Sequence, residues 1–278
     1  TRMSPITKSV NKQLLPIYDK PLIYYPLSIL MLAGIREILI IVNKGSIGQF
    51  KKVLLNGENF GINIQYKIQP SPDGLAQAFI IGEEFIGSDS VSLILGDNIF
   101  YGQNFSEKLD IASKIKEGAK IFAYHVRDPE RFGVVEFNKK MKVKSIEEKP
   151  ILPKSNYAIV GLYFYDNSVI EKAKSLSPSK RGELEITDLN QLYLNEQNLE
   201  VELLGRGYAW LDTGTHESLL DAGNYVRTIT ERQGLQVGSP DEVAFEFGLI
   251  DSEKLKNLIK SLKASPYKNY LAEKLVGR

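Results

Sequence analysis

An α/β fold with a mixed, mainly parallel sheet flanked by helices is predicted by three observations. Short β-branched runs alternate with helix-length segments through the first half of the chain. Two acidic residues, Asp97 and Asp212, close the apolar runs VSLILGD and GYAWLD. Strand-like runs then cease from about Asp241 onward. Such an arrangement is Rossmann-like, and a carboxylate at the end of a buried strand stands at the rim where α/β sheets bind ligands.

Each element follows in order. LIYYPLSILMLAG reads as a helix opening near Pro21 and stopping at Gly34, with Pro26 tolerated in its first turns. IREILIIV is a buried strand, residues 46–55 a helix, and IQYKIQ the next strand. GLAQAFIIGEEFIG, residues 74–87, predicts one amphipathic helix with Leu75, Ala78, Phe79 and Phe85 on one side. VSLILGD is a central strand, followed across a short turn by a helix over FSEKLDIASKIKEG, and AKIFAYHV is a strand. The second half departs from this alternation. FGVVEF and KVKSIEEKP predict a β-hairpin, YAIVGLYFYD a long strand, residues 167–176 and 185–196 helices, and residues 215–232 a helix capped by Thr215. The last residues read as short helical pieces, a small C-terminal appendage.

Composition excludes several functions. Of 278 residues, 43% are hydrophobic and 25% charged, as in ordinary globular domains. The net charge of +1, without a basic block, disfavours nucleic acid as a partner. With no cysteine there is no disulfide, thiolate metal site or cysteine nucleophile. Two histidines, His125 and His216, are too few for a histidine metal site, and His216 reads as a first-turn helix residue. The longest apolar stretch is broken by Pro26, Gly34, Arg36 and Glu37, so no membrane span is predicted and a cytoplasmic location is expected. The chain opens at Thr1-Arg2 without a leading strand, and a first segment is expected to be missing from it.

Six constellations carry candidate chemistry, each with a bland alternative. Arg2 and Lys12, with Gln13, flank a proline-bearing loop; they form a solvated face or a phosphate reader. Gln69-Pro-Ser-Pro-Asp-Gly74 is a stiff turn or a base-reading loop, since glutamine offers donor and acceptor while glycine admits close backbone approach. Gly96-Asp97-Asn98 is a turn or a metal ligand with room beside it. Glu147-Glu148-Lys149 is a charged edge strand, or a ligand group whose alternate residues face opposite sides. Arg181-Gly-Glu-Leu-Glu185 is a helix-capping loop or an anion site, and Trp210-Leu-Asp212-Thr-Gly-Thr215 a strand end or the second metal ligand.

Taken together these segments resemble the sugar-1-phosphate nucleotidylyltransferases, and within them the glucose-1-phosphate thymidylyltransferases. The resemblance runs the full length through TRMSPITKSVNKQLLPIYDKPLIYYPLS, QPSPDGLAQAF, LILGDNIFYG, FGVVEF, IEEKP, GLYFYD, RGELEITDLN and AWLDTGTHESL. It implies a nucleotidyltransferase domain over 1–240, with a nucleotide-binding part near 1–125 and a sugar-phosphate-binding part near 126–225, and an appendage over 241–278 for oligomer or regulatory contacts. It implies that Arg2 and Lys12 contact the triphosphate with Gln13 beside them, and that Gln69 and Gly74 read the thymine ring. Asp97 and Asp212 match the two Mg²⁺ ligands. Asn98, Gly133, Glu148, Lys149, Val160 and Arg181 fall in the sugar-phosphate site, with Lys149 and Arg181 on phosphate. Val160 stands where the family often has threonine and Phe132 where it often has tyrosine. The family's glycine-rich signature ends in Gly-Thr-Arg, of which Thr1-Arg2 are present here.

The activity so implied is in-line attack of glucose 1-phosphate on dTTP, giving dTDP-glucose and pyrophosphate, with Mg²⁺ as cofactor. Rival readings are the same chemistry with UTP or another hexose 1-phosphate, and a non-catalytic subunit that binds nucleotide sugars. The resemblance further implies a homotetramer with feedback by a pathway sugar nucleotide such as dTDP-rhamnose.

Overall fold

The computed structural model describes residues 3–277. In chain order, β1 Pro16–Ile17 and β2 Lys20–Pro21 form a small hairpin, followed by α1 Tyr24–Leu32, β3 Glu37–Asn43, α2 Ile47–Leu54 and β4 Asn63–Gln69. Next come α3 Gln77–Ile81, α4 Glu83–Ile86, β5 Val91–Ile94, β6 Asn98–Gly102, α5 Phe105–Ser113 and β7 Ala119–His125. The second half holds β8 Gly133–Phe137, β9 Val143–Glu148, β10 Tyr157–Tyr165, α6 Val169–Ser175, α7 Ile186–Asn195, β11 Leu199–Leu204 and β12 Tyr208–Asp212. Four helices end the chain: α8 His216–Gln233, α9 Pro240–Glu246, α10 Ser252–Ser261 and α11 Pro266–Val276.

The chain divides into two compact units. The first takes the chain up to Tyr66, Gly96–Tyr101, and everything from Leu211 onward. Its main core joins Ile23, Leu27 and Met31 of α1, Ile38 and Val42 of β3, and Phe50 and Leu54 of α2 to Val243, Ala244 and Phe245 of α9 and Leu255 of α10. The C-terminal helices thus share a core with the N-terminal elements. Pro26 sits at the third position of α1, where a missing N–H costs nothing, and Gly34 leaves the helix with φ +80°. Thr215 caps α8 with a reciprocal Ser218 bond, as its sequence predicts, and His216 is the first helical residue.

The second unit, Lys67–Leu95 with Gly102–Trp210, is built on a six-stranded sheet. The order runs β11-β7-β10-β8-β9, with β5 also paired to β10. Nearly every residue of β10 is buried, as befits a strand covered on both faces. Ile121, Ala123, Tyr163 and Tyr165 pack with Phe79 of α3, Ile170 of α6, and Leu189 and Tyr193 of α7. Phe122 and Phe164, at alternate positions, meet edge-on at 6.1 Å, and Phe105 joins them from α5.

Three expectations need correction. The α/β class, the mixed sheet and the flanking helices stand, but parallel pairing does not dominate the six-stranded sheet. Its β7–β11 ladder is parallel, whereas β10 runs antiparallel to β5, β7 and β8, and β8 to β9. The helix expected over 74–87 is two short helices broken at Gly82, and it starts late because Gly74 has φ +108°. Asp97 does not end a strand that leads to a helix: β5 stops at Ile94, and β6 begins at Asn98.

Candidate active site

In the first unit the site grows from a one-turn 3₁₀ helix, Lys12–Leu14. Asn11 caps it by accepting from the Gln13 N–H at 3.1 Å, and the Asn11 N–H is itself held by Gln49 Oε1 at 3.1 Å. Lys12 Nζ, so presented, donates to Asp97 Oδ2 at 2.5 Å. The other carboxylate oxygen accepts from Asn98 Nδ2 at 3.0 Å. Asn98 is 2% exposed, so it acts as a brace beneath Asp97 rather than as an outward-facing group. Gly96 is required here: a Cβ would lie 2.9 Å from Gln13 Cγ.

Asp212 reaches the same place along β12, which pairs with β6. The next residue, Thr213, is fully buried and donates to the Asp97 carbonyl from both its N–H (3.1 Å) and its Oγ1 (2.8 Å). The two carboxylate-bearing turns are therefore stitched backbone to backbone. Gly214 keeps the space over Asp212 open, since a Cβ there would lie 3.1 Å from Asp212 Oδ2. Among the described residues no group of three or more His, Asp or Glu could hold a metal. Two carboxylates nonetheless fit a hard cation such as Mg²⁺, which takes one or two from protein and the rest from water and phosphate. Arg2 lies outside the described residues.

In the second unit Gln69 ends β4 and anchors the loop after it. Its Nε2 donates to the Gly74 carbonyl at 3.3 Å and to Gln77 Oε1 at 2.8 Å, while Gln77 donates to Asp73 Oδ2 at 2.9 Å. This loop rests on Leu184. The Leu184 N–H bonds the Asp73 carbonyl at 2.6 Å, and the Leu184 carbonyl accepts from Ala76 at 3.2 Å. Any Cβ at Gly74 would lie 2.3 Å from Leu184 O.

The loop thus abuts the segment that bears the remaining candidates. Gly133 faces Glu148 across the β8–β9 ladder, and a Cβ on it would lie 3.1 Å from Thr187 Oγ1 and 3.4 Å from Glu148 Oε2. Thr187 Oγ1 donates to Glu148 Oε2 at 2.5 Å. Lys149 Nζ stands 3.4 Å from Glu148 Oε1. Its backbone turns to φ +44°, just past the strand end, so its side chain leaves the strand's alternation. Arg181 reaches Glu148 Oε1 at 3.3 Å and Glu183 at 3.6 Å, and grips Glu185 with Nε at 3.0 Å and Nη2 at 2.6 Å. Gly133, Glu148, Lys149 and Arg181 therefore meet. Val160 is fully buried within β10, among the ladders, and Phe132 packs on Trp210 at 5.0 Å.

Glu185 is the buried member of this cluster. Burial alone would raise its carboxyl, yet the bonds from Arg181 and Ser179 outweigh that and hold it below the usual range. The same bond to Glu185 raises Arg181. Asp188, one turn on, is raised by burial and by the charges of Glu185 and Glu148. Glu185, Thr187 and Asp73 were not singled out as site residues from the sequence. The i,i+4 spacing of Arg181 and Glu185 was a usable signal for the first; nothing local marks the other two.

Residues 1–229 match the family model described as nucleotidyl transferase. A glucose-1-phosphate thymidylyltransferase of Neisseria meningitidis is 58% identical over 98% of this chain and 94% of its own length. One from Mycobacterium tuberculosis is 55% identical over 99% and 95%. A crystal structure of a Bacillus anthracis protein assigned as a glucose-1-phosphate thymidylyltransferase, in complex with sucrose, superposes with TM-score 0.75 at 42% identity, over 81% of this chain and 90% of that one. A UDP-glucose pyrophosphorylase bound to UDP-glucose superposes with TM-score 0.69 at 25% identity, over 82% and 94%. The chain belongs to the nucleotidyl transferase family, among relatives named glucose-1-phosphate thymidylyltransferase.

Proposed function

We propose that this protein transfers a deoxythymidylyl group from dTTP to α-D-glucose 1-phosphate, giving dTDP-glucose and pyrophosphate. The observation that carries nucleotidyl transfer is the Asp97–Thr213–Asp212 stitch with Lys12 on Asp97. The choice of thymidylyl and glucose rests on relatives of that name spanning nearly the whole chain.

The nucleophile is a sugar-phosphate oxygen, already ionised because a phosphate monoester's second pKa is about 6. No general base is needed, so the residues work by alignment and charge neutralisation. An oxygen of glucose 1-phosphate bonds to the α-phosphorus of dTTP while the bond to pyrophosphate breaks. A divalent cation, Mg²⁺ in our reading, would be held by Asp97 and Asp212 and supply positive charge at the α-phosphate. Lys12 swings from Asp97 to the triphosphate, and Arg2 is assigned there with it, Gln13 lining the same turn. Both Nε2 protons of Gln69 are committed to Gly74 and Gln77, so its Oε1 is left to accept the N3–H of thymine. Lys149 and Arg181 receive the sugar phosphate, while Glu148 and the Gly133 backbone shape the hexose pocket.

The catalytic part spans 1–240 and the appendage 241–278. Homotetramer formation, feedback by a pathway sugar nucleotide such as dTDP-rhamnose, and a cytoplasmic location complete the reading; among the described residues no helix is long and apolar enough to cross a membrane. The decisive experiment is pyrophosphate release with glucose 1-phosphate across dTTP, UTP, CTP and ATP. Turnover with dTTP ahead of the rest is expected. Faster turnover with UTP would replace the nucleotide, and silence with all four would remove the enzymatic reading.

A further inference from the structure

Arg181 is a half-exposed cation on a loop, and such a side chain has many rotamers to lose before it can serve a ligand. Here it has lost them already. Glu185, at the start of α7, is 7% exposed and lies under the guanidinium. Its two oxygens take the Nε and Nη2 edge in the paired geometry that suits a carboxylate. Ser179 fixes Glu185 in turn, its Oγ donating to Oε1 at 2.7 Å while accepting the Arg181 N–H at 3.1 Å. Ser179, Arg181 and Glu185 close a ring of bonds within seven residues of chain. With one edge of Arg181 so occupied, the Nη1 amino group has no hydrogen-bond partner among the described residues, and the side chain is 41% exposed. The buried carboxylate is thus a seat, and the outward edge is what an anion would meet.

We propose that Glu185 is a positioning residue for sugar-phosphate binding: it clamps the inner edge of Arg181 so that Nη1 is presented to the phosphate of glucose 1-phosphate. This rests on the reading of Arg181 as a phosphate ligand given above. Glu185 touches no substrate itself.

The test is steady-state kinetics of the full chain carrying Glu185→Gln, Arg181→Ala and both. Glu185→Gln is expected to raise the KM for glucose 1-phosphate about tenfold, since a charge-assisted paired bond is exchanged for a neutral one, with the dTTP KM unchanged. In the Arg181→Ala background it should add nothing further. If Arg181→Ala raises that KM and Glu185→Gln does not, the positioning role is wrong. Full additivity of the two effects also overturns it, because a general packing defect would act without Arg181. If Arg181→Ala leaves the KM unchanged, the phosphate reading of Arg181 falls and takes this inference with it. Should Glu185→Gln not fold, Ser179→Ala removes the bonds of Ser179 Oγ to Glu185 Oε1 and to the Arg181 N–H and leaves the paired Arg181–Glu185 contact in place. A rise of about threefold in the same KM would support the clamp, and an unchanged KM would refute it.

Discussion

In the first unit one cation meets one carboxylate: Lys12 sits on Asp97, whose other oxygen is held by Asn98. In the second unit, two cations face an excess of acid. Arg181 contacts Glu148, Glu183 and Glu185, and Lys149 leans on Glu148. In the function proposed above, the first arrangement serves as a latch that a metal–triphosphate opens. The second is a preset, in which acids fix where the cations point. The difference teaches that an anion site can be prepared by exchange or by clamping, and that burial of the acid decides which. The side chain of Asp97 is 25% exposed, open to a second partner, whereas that of Glu185 is only 8% exposed.

The largest effect should come from the two carboxylates of the first unit. Asp212→Asn is expected to keep the fold and lower kcat/KM by about a hundredfold or more, in line with removing one electrostatic contact to a transition state; equal activity at saturating Mg²⁺ would remove Asp212 from the metal role. A carboxylate that no ligand relieves gives the contrast. Asp241 of α9, buried with Tyr267 donating to it, is pushed up by burial to about 6, which Lys20 only partly offsets. A raised carboxyl stabilises the fold below its ordinary pKa and loses that contribution as pH rises through about 6. Asp241→Asn should therefore flatten the decline in stability between pH 5 and pH 8, by up to about 1.4 kcal/mol. Thermal melts at the two pH values check this, and an unaltered pH slope would refute it.

Two smaller effects probe the preset. Gly74→Ala would drive a Cβ into the Leu184 carbonyl at a φ of +108°, and should cost about 2 kcal/mol in denaturant unfolding while raising the dTTP KM. A fully stable variant would mean that the loop can leave Leu184. Lys149→Ala should raise the glucose 1-phosphate KM about tenfold with the dTTP KM unmoved, as loss of one charge-assisted contact predicts; equal effects on both substrates would show that the two cation sites are not separate.

Much of this was legible beforehand wherever it depends on neighbours in sequence. The β8–β9 hairpin, the Thr215 cap, the strand-end position of Asp212 and the C-terminal helices follow from local periodicity and capping chemistry. What escaped is non-local. Lys12 and Asp97 are 85 residues apart, and no pattern around either reveals that they pair. The antiparallel place of β10 is set by the partners it finds, not by its own composition, which reads as a buried strand either way. Asn98-Ile-Phe-Tyr-Gly became a strand and not a turn into a helix because β12 was there to pair with it. Gly74 was marked for close approach, but its neighbour is the protein's own backbone at Leu184.

The last three helices bear on how this chain could be re-engineered. Val243, Ala244, Phe245 and Leu255 fill the same core as α1, β3 and α2, and Gly61 would strike the Leu249 carbonyl if it gained a Cβ. That segment cannot be handled as a detachable cassette. Clipping it off would strip an oily wall from the N-terminal unit, and grafting it onto another scaffold would carry away a surface with nothing to cover.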